Sequence, residues 1–113
     1  MNSVLLSIKK LLGIAEDYDH FDEQILMCIN SVLATVHDIG ITPTKPIRVW
    51  GDTDTWNQIV GTRNDIEDVK TYVYLKVKIL FDPPQSSSHI EAINRQIAEI
   101  EWRLNVRAEK EES

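Results

Sequence analysis

The sequence predicts an all-α protein: a single-domain helical bundle of about four main helices with a projecting C-terminal helix. Three observations lead there. Apolar residues between Phe21 and Ile39 recur at helical spacing. A second amphipathic stretch, 65–81, runs into a hard break at Asp82-Pro83-Pro84. A third, 89–106, follows the break and carries Ile90, Ile93, Ile97, Ile100 and Leu104 at three–four spacing. The 113 residues suit one domain, expected over 1–107, with a disordered acidic tail over 108–113. A domain of this size removes roughly two-thirds of its unfolded surface from water, enough for a modest core without disulfides or a structural metal.

Ser3 opens the first helix as its cap. Val4, Leu5, Ile8, Leu11 and Leu12 mark its apolar face. Lys9 and Lys10 fall in the last turn, where the helix dipole favours cations, and Gly13 stops it. So short a helix cannot stand alone in water and needs a surface to lie on. An acidic linker follows, with Glu16, Asp17 and Asp19. Asp19 is placed to cap the second helix, and Asp22 and Glu23 suit the positive end of its dipole. Phe21, Ile25, Cys28, Ile29, Val32, Leu33, Val36 and Ile39 form its stripe, the expected centre of the core, and Gly40 is its stop. Residues 41–63 are punctuated by Pro43, Pro46, Gly51 and Gly61. Within them, IRVW (47–50) reads as a short extended piece. Asp54 reads as the cap of a brief helix carrying Trp56, Ile59 and Val60.

Asn64 and Glu67 form a capping box ahead of a helix from Asp65 to about Leu80. The pattern there is divided. Val73, Leu75, Val77, Ile79 and Phe81 alternate with polar neighbours as in a strand, whereas Ile66, Val69, Val73, Val77 and Leu80 keep helical spacing. The upstream cap decides for helix. Such a helix is apolar around much of its circumference and calls for burial or for cover by another subunit. Tyr72, Tyr74, Leu75, Lys76 and Ile79 are the residues expected at a subunit–subunit contact. Pro83 and Pro84 end the helix. Ser88 and Glu91 form a second capping box for the last helix, about 27 Å long at the standard rise. Asn94, Arg95, Glu99 and Arg103 make its polar side. The apolar repeat is too short for a free coiled coil, so this helix must pack on the bundle or on a partner. Trp102 lies off the stripe, where it reads either as an interface anchor or as intrachain packing.

Composition bears on what the chain does. The formal charge is −6, from 18 acidic and 12 basic residues. An acidic protein whose bases are spread from Lys9 to Lys110 is a poor ligand for duplex DNA. Cys28 is the sole cysteine, which excludes an intramolecular disulfide and a cysteine metal site. On the apolar stripe it reads as a buried, inert thiol, and a reducing compartment is the simplest setting. No run of eighteen apolar residues predicts a membrane span. The opening MNSVLLSIKKLLG has its lysines after the apolar residues, the reverse of a secretory signal.

His20, His37 and His89 do not pair at i, i+4 as a helical zinc motif requires. Neither Asp17-Tyr18-Asp19 nor Asp52-Thr53-Asp54 continues as a calcium loop. Glu99 and Glu101, two apart, do not share a helix face, unlike the clustered glutamates of all-helical nucleotide hydrolases. The four glycines are scattered and make no phosphate loop. Ser86 to Ser88 beside His89 read as caps. No catalytic, cofactor-binding or metal-ligating residue is assigned, and the chain is expected not to be an enzyme. Two long helices joined by a rigid corner read instead as an assembly device.

TYVYLKVKILFDPPQSSSHIEAINRQIAEIEWRLNV (71–106) resembles the C-terminal half of the small head–tail connector (adaptor, or head completion) proteins of long-tailed bacteriophages. The L-F-D-P-P corner and the closing E-W-R-L-N-V are its specific parts. LLSIKKLLGI (5–14) and HFDEQILMCINSVLATVHDIGI (20–41) resemble the family's start, and 42–63 is the least distinctive stretch. The resemblance implies a helical adaptor in the virion neck, assembled in the host cytoplasm. It implies a ring of about twelve copies beneath the portal protein, following the portal's cyclic symmetry. Such a ring helps hold the packaged genome and gives the next neck protein a landing surface, with DNA only passing through its channel and no membrane or cofactor involved. The family's C-terminal helix reaches toward the portal, which points to Ile97, Ile100, Trp102, Arg103, Leu104 and Val106. An acidic subunit suits a ring with DNA inside, because repulsion lets the duplex slide. The alternatives are a small helical interaction or regulatory domain using the same helix and, behind it, an all-helical nucleotide hydrolase.

Overall fold

Helical periodicity prevails along the chain. The computed structural model describes residues 3–39, 48–60 and 66–112, without the side chains of Val60 and 108–112. Among them are five helices: α1 (Val4–Leu12), α2 (Asp22–Ile39), α3 (Trp56–Val60), α4 (Ile66–Phe81) and α5 (Ser87–Glu112). The described residues contain no strand, only an antiparallel bridge between Ser3 and Thr55. α4 sits between α2 and α5, and α1 lies against α2 and α4. Gly40, Pro43, Pro46, Ile47, Gly61 and the capping box at Asn64 lie outside the described residues.

α1 is bounded as its sequence dictates. Ser3 Oγ accepts the Leu6 N–H at 3.2 Å. Gly13 adopts φ 82°, the left-handed region, and its N–H donates to the Lys10 carbonyl at 3.1 Å while Ile14 donates to Lys9 at 2.9 Å. That pair of bonds is a Schellman stop. Val4, Leu5 and Ile8 are buried, but Leu11 is 52% exposed and Lys9 is wholly enclosed. The inner face is therefore turned toward Lys9 and away from Leu11, because Lys9 has partners inside.

α2 buries Ile25, Ile29, Val32, Leu33 and Val36, with Phe21, Cys28 and Ile39 half-buried against the core. Its first helical bond runs from the Ile25 N–H to the Phe21 carbonyl at 2.9 Å. Phe21, not Asp19, is thus the entry residue; the Asp19 carbonyl closes the preceding turn by accepting Asp22 N–H at 3.2 Å. In the middle segment Val49 is buried without belonging to a strand. The Asn30 amide takes the place of a strand partner: Nδ2 donates to the Val49 carbonyl at 3.0 Å and Oδ1 accepts its N–H at 2.8 Å.

α3 forms at Trp56–Val60, but its cap is Thr55 rather than Asp54. Thr55 N–H donates to Gln58 Oε1 at 2.9 Å and Gln58 N–H donates to Thr55 Oγ1 at 3.3 Å, a reciprocal box that satisfies two otherwise orphaned donors. Asp54 Oδ2 instead accepts the N–H groups of Trp50 (2.8 Å) and Gly51 (3.1 Å). Trp56, fully buried, donates its indole N–H to Ser7 Oγ at 3.3 Å and so ties α3 to α1.

The alternating stretch 72–81 is helix. α4 buries Val69, Tyr72, Val73, Leu75 and Val77, a wide arc that accepts α2 on one side and α5 on the other. α4 ends at Phe81, where Asp82 N–H reaches the Lys78 carbonyl at 2.9 Å and the Asp82 carboxylate pairs with Lys78 at 3.1 Å. The entry to α5 is Ser86, whose carbonyl accepts Ile90 N–H at 3.1 Å; the expected box at Ser88 is displaced because its hydroxyl bonds that of Ser86 at 3.0 Å.

α5 continues past the expected end near Arg107 to Glu112. Ala108, Glu109, Lys110 and Glu111 are strong helix formers and supply no stop. Its 26 residues span about 39 Å, close to the molecule's longest dimension of 44 Å. The second half carries buried Ile100 and Leu104, whereas nothing from Ser87 to Gln96 is fully buried. The radius of gyration, 13.9 Å, stays near the ~13 Å of a compact domain of this length, so α5 runs along the body that anchors it.

Candidate functional site

Lys9 organises one end of the bundle. Its Nζ donates to the carbonyls of Glu16 at 2.9 Å and Tyr18 at 2.8 Å and lies 2.8 Å from Asp22 Oδ1. Asp22 Oδ1 is itself buried, and its compensation is ionic. One ammonium thereby holds the 14–20 linker and the start of α2 onto α1. Lys9 stands four residues after Leu5, on the inner face, but the same last-turn position suits a dipole-stabilising cation, so spacing alone did not single it out.

The pinned linker borders an open apolar groove of about 700 Å³ between the end of α1, the first turns of α2 and the end of α4. Phe21 and Phe81 meet edge to face there, with centroids 5.6 Å apart. Leu12 and Ile14 line one wall. Met27 (68% exposed) and Leu80 (56%) stand at the mouth, and Asp82 brings the Asp-Pro-Pro corner to its edge. Cys28 also lines it. Burial pushes that thiol up, so it stays protonated and weakly nucleophilic. Sequence reasoning did not find this groove. Met27, an apolar side chain off the α2 stripe, was the available clue.

The residues expected at subunit contacts divide. Tyr72 is fully buried and Leu75 nearly so. The Tyr72 hydroxyl donates to Glu101 Oε2 at 2.9 Å, joining α4 to α5. Burial, then the hydrogen bond and charge of Glu101, raise its pKa above the usual tyrosine range. Lys76 Nζ lies 5.7 Å from the Tyr72 ring centroid. Tyr74, Lys76 and Ile79 are half-buried and reach the surface.

The residues expected at the portal divide similarly. Ile100 and Leu104 are in the core, with Ile97 and Val106 half-buried. Arg103 pairs with Asp68 at 3.4 Å and Glu99 at 3.2 Å, and Arg107 reaches Asp68 at 2.7 Å. These contacts fasten α5 to the start of α4. Trp102, 67% exposed, faces away from them.

Trp50 is the other prominent aromatic, 73% exposed, with the Arg48 guanidinium 4.8 Å over its ring. Its backbone is held by Asp54, and the preceding residue by Asn30. Among the described residues, no three His, Cys, Asp or Glu gather to hold a metal ion, and no helix is long and apolar enough to cross a membrane. The arrangement offers surfaces for proteins: a groove, a tryptophan on a braced helix and a tryptophan on a braced loop.

Comparison with curated proteins and with solved structures gives no match. A family model described as phage connector protein matches residues 4–111, nearly the whole chain, and the chain therefore belongs to the phage connector protein family.

Proposed function

We propose that this chain is a head–tail connector that assembles as a ring beneath the portal. Membership of a phage connector family gives it a structural role in the virion, among other head and tail proteins. In the finer reading, about twelve copies follow the portal's cyclic symmetry. The outward side of α5, centred on Trp102 with Arg103 and Val106 at its margins and Ile97 at the core edge of the same helix, meets the portal. Ile100 and Leu104 serve that contact from within, by holding the helix in place. The last turns of α5, to Glu112, carry the acidic tail toward the portal. Tyr74, Lys76 and Ile79 face sister copies, and the assembled ring presents a landing surface to the next neck protein. A formal charge of −6 per chain lets packaged DNA pass through the channel without adhering.

The observation that carries this reading is Trp102, 67% exposed on a helix whose other side is locked by two core residues and a pair of arginine–carboxylate contacts. Buried in a partner, an indole of this kind is a typical binding hot spot. Deleting α5 removes core residues and is not an informative test. Trp102→Glu leaves the core intact. The variant is expected to melt close to wild type and to lose at least about tenfold in affinity for the portal, read by co-sedimentation. Unchanged binding at unchanged stability overturns the docking role of α5.

A further inference from the structure

We propose that the apolar groove beside the Asp-Pro-Pro corner receives Trp50 of a neighbouring copy of this chain. The inference rests on the ring reading and names a contact within it. Size comes first. The groove, about 700 Å³, falls within the range that buries most of a small organic ligand, and an indole fits there. Its walls are Leu12, Ile14, Phe21 and Phe81, which suit an aromatic ring.

Position comes second. Trp50 is fastened through Val49 to Asn30, and the groove is lined by Cys28. The residues of α2 and its entry that line the groove, Phe21, Gln24, Met27 and Cys28, point on average about 130° from Asn30 around the helix. The Trp50 loop is also bonded to the first residues of α1, through Val4 N–H and the Asp54 carbonyl at 3.0 Å, whereas the groove lies at the last. The projection and its receptacle therefore stand on different sides of one chain. A contact between unlike patches is heterologous, the kind that closes rings.

Charge and rigidity agree. Arg48 is stacked on Trp50 and enters with it. The groove edge carries Asp82, and Asp17, Asp19 and Glu23 are exposed on the linker and first turn beside it. The projection is pre-organised: Asn30 grips the backbone of Val49 at both polar atoms, and Asp54 grips the next two N–H groups. Side chains already ordered lose little freedom on binding. A tryptophan buries at most about 250 Å², against about 800 Å² per partner in a stable interface. The contact is thus an auxiliary one, formed between copies already gathered on the portal.

The exposed groove residue Met27 makes the contact testable. A Met27→Cys, Cys28→Ser chain is mixed with a mass-tagged Trp50→Cys, Cys28→Ser chain, loaded on the portal, and treated with a short bismaleimide. The expected product is the mixed dimer, joining position 50 of one chain to position 27 of the other. In parallel, Trp50→Ala is expected to fold as wild type and to reduce the cooperativity of portal loading by about tenfold. If several copies load but the links are like to like, or absent while Trp50→Ala loads normally, the inference is overturned and the ring reading stands. If the portal takes up no more than one copy, both fall.

Discussion

Lys9 is a lysine with no exposed surface, held by two carbonyls and one carboxylate. Removing one partner of a buried pair strands the other, and such losses run to about 3–5 kcal/mol. Lys9→Met is therefore expected to lower stability by about 3 kcal/mol in urea denaturation. Adding Asp22→Asn is expected to restore part of the loss, since the uncompensated charge goes with it. Tyr72 makes a second prediction. Its folded pKa is raised by burial and by Glu101, so the folded state holds the phenolic proton more tightly than the unfolded one. That contribution is fully present below the unfolded value near 10. It is lost as pH rises from there toward the higher folded pKa. Tyr72→Phe should flatten the decline of stability above about pH 10, measured by thermal melts across that range. The burial of Ile29 and Leu104 was legible from spacing alone, whereas Cys28, expected to be buried, is half-buried at the groove. The role of Lys9 was not, because the same position suits a dipole-stabilising cation, and only the return of the 14–20 linker brings the carbonyls of Glu16 and Tyr18 to its ammonium.

At the scale of elements, the helices were legible and their exact caps were not. Hydrophobic spacing and the punctuation at Ser3, Gly13 and the double proline place α1, α2, α4 and α5 within a few residues. The choice of helix over strand for 72–81 holds because Val69, Val73 and Val77 share a face. The caps slipped because several side chains compete for each terminus: Thr55 displaces Asp54, and Ser86 displaces Ser88. The Asn30–Val49 clamp had no sequence signal, since its two halves lie nineteen positions apart. Its worth is measurable. Asn30→Ala strands a buried N–H and carbonyl at Val49, and about 2 kcal/mol of stability should be lost, with greater proteolytic cleavage near Trp50. Gly13 offers a cleaner case. An added Cβ meets nothing within 4 Å, so Gly13→Ala carries only the backbone strain of φ 82°, about 1 kcal/mol.

At the scale of the whole molecule, the question is why a chain with a closed core leaves large apolar side chains in water. Met27, Trp50, Leu80 and Trp102 are each more than half exposed, yet they are distributed between the groove, the loop and α5. Scattered patches have a different consequence from one continuous face. A stable dimer needs about 800 Å² buried per partner, and an isolated tryptophan or groove supplies only part of that. Free chains should therefore remain separate, and a portal that aligns many copies should convert several weak contacts into one strong assembly through effective concentration. The amphipathic pattern of α4 and α5 hinted at partners, but how much of each face stays uncovered depends on tertiary packing: α4 and α5 cover one another through Tyr72, Glu101, Ile100 and Leu104. Sedimentation at micromolar concentration is accordingly expected to give a single species near 13.0 kDa. Adding portal should then shift several chains together into one complex over a narrow concentration range. A stable ring of free chains at the same concentration would show that the exposed faces suffice by themselves, and the template-dependent assembly argued from their separation would fail.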